Sequence, residues 1–332
     1  MTEYLVVTPL SFLARLCGSP GHHGHADCEV DRAMFEVTRQ HNGEVSAPPG
    51  STAVLPRDRD LQRASGAGRI VLRGSDSRTD VVDVYQKFPI RIMCPAIGDD
   101  AVREAVIVNA AGGIAGGDRL EIEVTALGNA LVAVTSQAAE KIYRSLDQPA
   151  QVVTRLKVRD AAKLAWLPQE TIIFNSARIH RQTEIDLSTG AELMALEWLV
   201  LGRTAHGEEV VRGHIRDRWL VRRDGRLVWA DSFLVAEETF PHLRRKALLA
   251  NYKAIGTLLY FGPHLDSRLE MLREAAQSLA CNCAATMVSG LIVVRLAAKT
   301  SFELRIALIC MLQHFGGEGD GGPFRVPKMW SC

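Results

Sequence analysis

The chain has 332 residues, 47% of them hydrophobic and 23% charged, with a formal net charge of +1. This composition supports a large buried core and excludes wholesale disorder. The balanced charge lacks the basic excess of a nucleic-acid binder. Residues 212–226 are locally basic, but there the charges alternate with apolar residues as in strands.

Residues 1–56 hold Gly18, Pro20, Gly21, Gly24, Pro48, Pro49, Gly50 and Pro56 with little periodicity, and are expected to form a loosely ordered leader. Residues 4–14 form a faintly apolar stretch, but it lacks a basic flank, follows Glu3 and is interrupted by Pro9. No apolar run reaches the roughly 18 residues of a membrane-spanning helix. The seven cysteines (Cys17, Cys28, Cys94, Cys281, Cys283, Cys310 and Cys332) have no disulfide-like spacing, which suits a reducing compartment. The expected location is cytoplasmic.

Residues 57–236 read as a β-rich body. Leu120, Ile122 and Val124 oppose Arg119, Glu121 and Glu123, the alternation of a half-buried strand. Leu156 and Val158 oppose Arg155, Lys157 and Arg159 in the same way. Asp224-Gly225 predicts a type I′ hairpin turn, whose two central residues need positive φ, with 227–229 as the returning strand. Strands at this spacing predict an antiparallel-rich, mostly β fold.

Residues 237–332 change period and read as a strand and helix unit packed on the body. Asp266 is expected to cap a helix with Leu269, Leu272, Ala276 and Leu279 on one face. Strands over 284–288 and 291–296 flank Gly290. Thr300 and Glu303 fit a capping box for a second helix, with Leu304, Leu308, Met311 and Phe315 inside. A weaker helix is expected over 242–253.

The glycine-rich segment 109–118 lies between two strands, so it lacks the helix N-terminus that holds a dinucleotide pyrophosphate. It reads as a tight connection with positive φ angles. His22, His23, His25 and Cys28 are of metal-ligand type, but their spacing matches no closed tetrahedral site. Cys281 and Cys283 are too close for ordinary bridging and read as structural.

Ser136, His206 and Asp118 form a triad on paper, without a nucleophile elbow to support it. Glu140, Glu170, Glu197 and Glu208 lie beside strongly apolar sequence. Carboxylates so placed need partners, for which Arg144, Arg178 and Arg203 are available. Structural pairing and functional use both remain open for them.

Several of these segments, in order, resemble the UreD (UreH) family of urease accessory proteins over roughly residues 60–330. They are Tyr85-Gln86-Lys87-Phe88-Pro89, the segment 109–120, and Thr135-Ser136-Gln137-Ala138-Ala139-Glu140-Lys141-Ile142-Tyr143-Arg144. Trp166-Leu167-Pro168-Gln169-Glu170-Thr171-Ile172 follows, then 197–208, the hairpin at Asp224, and Arg325-Val326-Pro327-Lys328-Met329-Trp330. The resemblance implies a mostly β, β-helix-like body with a few C-terminal helices. It also implies a non-enzymatic scaffold that works with UreF and the GTPase UreG on apo-urease. In such a scaffold Ni²⁺ is in transit through an interior passage and no cofactor is tightly bound. Scattered carboxylates suit transit better than a closed cage, because the ion must leave as readily as it enters. Asp118, Glu140, Glu170, Glu197, His206 and Glu208 are the passage residues expected on that ground. A β-rich interaction module with no metal role and a carboxylate-dependent hydrolase are the alternatives. Cys94-Pro95 departs from the family pattern, which more often has an aromatic residue before the proline.

Overall fold

Alternating apolar and polar residues become strands here, and the chain winds them into two sheets that face each other across a core. The computed structural model describes residues 63–75, 78–95, 102–315 and 322–331. The leader expected over 1–56, with His22, His23, His25 and Cys28, lies outside the described residues.

In chain order the first strands are β1 (Ser65–Gly74), β2 (Thr79–Lys87), β3 (Ile90–Met93), β4 (Arg103–Asn109), β5 (Arg119–Leu127) and β6 (Leu131–Ser136). Then come β7 (Glu140–Ile142), β8 (Ala150–Val158), β9 (Lys163–Trp166), β10 (Thr171–Ile173), β11 (Arg178–Leu187) and β12 (Glu192–Leu201). The chain continues through β13 (His214–Arg223), β14 (Arg226–Val235) and β15 (Ala254–Phe261). It ends with helix α1 (Leu265–Gln277), β16 (Asn282–Val288), β17 (Leu291–Ala298) and helix α2 (Ser301–Phe315), followed by a one-turn 3₁₀ segment at Lys328–Ser331.

One sheet has the order β14-β13-β11-β8-β5-β1-β2, and the other β16-β17-β15-β12-β9-β6-β4-β3. From β4 to β13 the long strands alternate between the sheets. Each pairs in parallel with the strand one turn earlier: β8 with β5, β11 with β8 and β13 with β11 on one side, β6 with β4, β9 with β6 and β12 with β9 on the other. Short β7 and β10 pair in parallel, and β10 also pairs with the end of β12. The result is a β-solenoid-like coil, so the mostly β, β-helix-like expectation holds.

The antiparallel-rich part of that expectation is corrected. Antiparallel pairs flank the coil, at β1–β2, β3–β4, β13–β14 and the run β12–β15–β17–β16, while the coil itself is parallel. Period-two alternation reports which side of a strand is buried. It carries no information on the direction of the neighbour, because both sheet types pleat alike.

Two apolar layers hold the molecule together. Ile70, Val124, Leu156 and Ile185 of the first sheet meet Ile107, Val134, Leu164 and Leu193 of the second between the sheets. Met194, Leu196, Leu258 and Val294, on the other face of the second sheet, pack against Leu269, Leu272, Leu304, Leu308 and Phe315 of the two helices. β12, Glu-Leu-Met-Ala-Leu-Glu-Trp-Leu-Val-Leu, is therefore buried on both faces, as its apolar residues at both alternating positions require, with Glu197 the charged exception. Each such leucine or isoleucine contributes about 1.5–3 kcal/mol through removal from water.

The local signals play out residue by residue. Asp224 and Gly225 take φ of 49° and 77°, as the hairpin demands. Thr300 Oγ1 accepts from the Glu303 N–H at 3.1 Å, and Glu303 Oε2 accepts from the Thr300 N–H at 3.3 Å, which closes the capping box of α2. Asp266 does not cap α1: His264 occupies that position, and Asp266 lies in the first turn. No helix forms over 242–253; a 3₁₀ segment at Glu237–His242 containing Pro241 precedes turns in which Ala250 has φ of 49°. Among the described residues, no helix is long and apolar enough to cross a membrane.

Candidate functional site

A cavity of about 220 Å³ opens between the two sheets. Its polar lining includes Asn109 (β4), Glu140 and Lys141 (β7), Trp166 (β9), Thr171 (β10), Arg181 (β11) and Glu197 (β12), with Ser136 (β6) and Thr154 (β8).

Arg181 is the unexpected member. On β11 the inward positions are Ile179, Arg181, Thr183, Ile185 and Leu187, so the strand's alternation carries a guanidinium into the core. A buried cation is tolerated only with full pairing. Nε donates to Asp217 Oδ1 at 3.0 Å and Nη2 to Oδ2 at 2.6 Å. Nη1 donates to Glu197 Oε2 at 2.6 Å and Thr171 Oγ1 at 3.1 Å. The indole N–H of Trp166 donates to Glu197 Oε1 at 2.9 Å. Burial pushes the Glu197 carboxyl above its usual range, against the pull of Arg181.

Glu140 meets the cavity differently, with no arginine among its hydrogen-bond partners. The Asn109 amide donates to its two oxygens at 3.1 and 3.2 Å. Burial pushes its pKa up to about 7, opposed by the Asn109 amide, the backbone N–H of Lys141 and the Lys141 charge. Asn109 is held in turn by the glycine-rich segment, its Oδ1 accepting from the Ala111 N–H at 3.1 Å. That segment is a turn, with Gly112 and Gly117 at φ of 72° and 87°.

Of the six residues singled out in the sequence, Glu140 and Glu197 share this cavity. The other four lie elsewhere. Asp118 accepts from the backbone N–H groups of Ala64 and Ala115, both at 2.8 Å, and ties the glycine-rich turn to the start of β1. Glu170 pairs with Arg305 of α2 at 3.3 Å. Glu208 pairs with Arg203 at 2.9 Å, and that hydrogen bond lowers its pKa. His206 is exposed in a 3₁₀ turn. The expected partner Arg203 thus serves Glu208, while Glu197 takes Arg181 and Glu170 takes Arg305.

Sequence reasoning missed Arg181, Asp217 and Asn109. The available signal was a charge at an apolar position of the alternation, between Ile179 and Thr183 for Arg181 and between Ile215 and Trp219 for Asp217. Burial pushes the thiols of Cys281 and Cys283 up to about 11 and 12, leaving both protonated at neutral pH. Among the described residues, no three His, Cys, Asp or Glu side chains converge to hold a metal ion.

The architecture defines a β-solenoid-like protein with terminal helices and a polar cavity between its sheets. The family model described as UreD urease accessory protein matches residues 64–331, and the chain belongs to that family. It is 40% identical over 270 residues to the urease accessory protein UreD of Rhizobium johnstonii, covering 81% of this chain and 96% of that protein. The UreD of Xanthobacter autotrophicus is 38% identical over 287 residues, covering 86% and 96%. That of Agrobacterium fabrum is 37% identical over 270 residues, covering 81% and 92%.

Proposed function

We propose that this chain is a non-enzymatic cytoplasmic scaffold for nickel insertion into apo-urease, acting with UreF and UreG, and that Ni²⁺ crosses it as cargo by way of the cavity. Membership in the urease accessory family supports the maturation role. The observation that carries the cavity reading is the placement of Glu140: a carboxylate on the cavity wall, held by an amide and not by an arginine. The volume also leaves room for several waters, each needing about 10–15 Å³ by the same measure, so a divalent ion keeps part of its hydration. Glu140, hydrogen-bonded by an amide and set beside a Glu197 that Arg181 already holds, binds the ion weakly, as transit requires. In this reading Glu140 contacts the cargo, Glu197 shapes the wall, and Asp118, Glu170 and Glu208 hold the framework.

The test is nickel-dependent activation of apo-urease by UreF, UreG and this chain. Glu140→Ala is expected to fold, to bind UreF and to activate poorly, whereas His206→Ala activates as the parent does. Full activation by Glu140→Ala overturns the cavity route. Failure of the parent chain to support activation under the same conditions overturns the maturation role itself.

A further inference from the structure

The outer face of the first sheet carries a histidine pair that the cavity does not use. His180 lies between Ile179 and Arg181, both of which point inward, so its ring points to the opposite side. His214 begins the neighbouring strand β13. The register sets Arg178 opposite His214 and His180 opposite Arg216, which makes the two imidazoles diagonal neighbours. Their ring centres are 5.1 Å apart and their planes are tilted by 59°. Both residues are partly buried, and His214 Nδ1 is buried without a hydrogen-bond partner. An unsatisfied buried polar atom is costly, and a bound ligand is one way of satisfying it.

We propose that His180 and His214 form a two-histidine site for a borderline divalent ion of the Ni²⁺, Cu²⁺ or Zn²⁺ class. With metal–nitrogen bonds of about 2.0–2.1 Å, two imidazoles at a tetrahedral angle have ring centres about 5 Å apart, so the rings already stand at a chelating separation. Neutral imidazole is the ligand form. The nearby cations do not forbid the ion: Arg178 is paired with Glu237, and Arg216 is exposed, where solvent and salt screen its charge. Two protein ligands leave the remaining positions to water or to a partner's donor group, which gives an open and exchangeable site. Imidazole donors place Cu²⁺ ahead of Ni²⁺ and Zn²⁺ in affinity.

This site stands apart from the cavity reading, since it lies on the other face of β11. The test uses the full-length chain carrying His22→Ala, His23→Ala and His25→Ala, so that those three imidazoles do not contribute. Equilibrium dialysis counts Ni²⁺ and Cu²⁺ bound per chain. Adding His180→Ala or His214→Ala is expected to remove one of the bound ions. Histidine-ring NMR of the same chain with both histidines intact gives a readout independent of those two variants: paramagnetic Ni²⁺ broadens the signals of His180 and His214 first. Unchanged binding in the His180→Ala/His214→Ala double variant overturns the site, as does broadening confined to other histidines. Failure of this site shows as an unchanged ion count in the histidine variants, and failure of the cavity route shows as full urease activation by Glu140→Ala, so the two failures are separately visible.

Discussion

The Arg181 guanidinium meets the Asp217 carboxylate edge to edge, with Nε 3.0 Å from Oδ1 and Nη2 2.6 Å from Oδ2, across two strands that pair them directly. This two-point contact fixes the plane of the guanidinium. Nη1 is then left pointing at Glu197 and Thr171, on the second sheet. A single side chain thereby ties the two sheets together at the polar end of the cavity, where apolar packing is interrupted.

Arg181→Met tests how much that tie stabilises the fold. The substitution leaves Glu197 and Asp217 buried without their cation, a loss of about 3–5 kcal/mol by analogy with other broken buried pairs. Urea unfolding is expected to show a markedly lower midpoint. Adding Glu197→Gln and Asp217→Asn removes the stranded charges and is expected to recover part of the loss. A change below about 1 kcal/mol for Arg181→Met would mean that water solvates both carboxylates well.

Glu140 gives stability a pH dependence of a particular sign. Its folded pKa of about 7 lies above the ordinary 4.5, so the folded chain holds this proton more tightly than the unfolded chain does. The resulting stabilisation is fully present below pH 4.5 and is lost as the pH rises through 7. A shift of this size corresponds to about 3 kcal/mol. Glu140→Gln removes the charged form, so the variant is expected to be more stable than the parent at pH 8, with the difference shrinking towards pH 5. Parallel denaturation curves at the two pH values check this. An equal difference at both would remove Glu140 as the titrating group.

Much of the frame was legible because burial writes alternation into the strands and a three-to-four spacing into the helices. Leu120, Ile122 and Val124 pointed to β5, and Thr300 with Glu303 pointed to the start of α2. The solenoid was not legible. Its coils show no sequence repeat, and a parallel neighbour leaves the same alternation as an antiparallel one. The cavity was legible in part. Glu140 and Glu197 stood out as acids in apolar surroundings, but so did Glu170 and Glu208, which are paired with Arg305 and Arg203 at other places. For Glu170 the deciding partner is Arg305, a long-range contact that local sequence does not encode, whereas Glu208 is met by Arg203 only five residues away. Arg181 was hidden among the many arginines of the chain, although its place in the alternation of β11 marked it as inward-facing.

Trp330 fastens the end of the chain to the body. Its side chain is 5% exposed, and its indole N–H donates to the Leu167 carbonyl at 3.2 Å. Arg305 Nη1 donates back to the Trp330 carbonyl at 3.0 Å, while Nη2 reaches Gln169 and Glu170. Trp330→Ala is expected to cost about 3–5 kcal/mol, the range for a buried aromatic truncated in a core. Thermal unfolding checks the loss. Hydrogen exchange is expected to show the deprotection concentrated in α2 and around Leu167.

The start of α2 offers a test of reciprocity. Thr300 and Glu303 each satisfy a backbone N–H near the other, and Glu303 Oε2 also accepts from the Lys299 N–H at 3.0 Å. Thr300→Ala and Glu303→Ala are each expected to destabilise by about 1 kcal/mol, the usual magnitude for a lost N-cap. The two halves brace the same turn, so removing one loosens the geometry that the other needs. The double variant is therefore expected to lose less than the sum of the single losses, with the shortfall read as a coupling energy from a double-mutant cycle. Strict additivity would mean that the two hydrogen bonds act independently and that the box is only a pair of separate caps. The effect also propagates: Arg305 sits one turn further along the helix and holds Glu170. Fraying at Thr300 is thus expected to weaken the Arg305–Glu170 pair, seen as faster amide exchange on both sides of that contact.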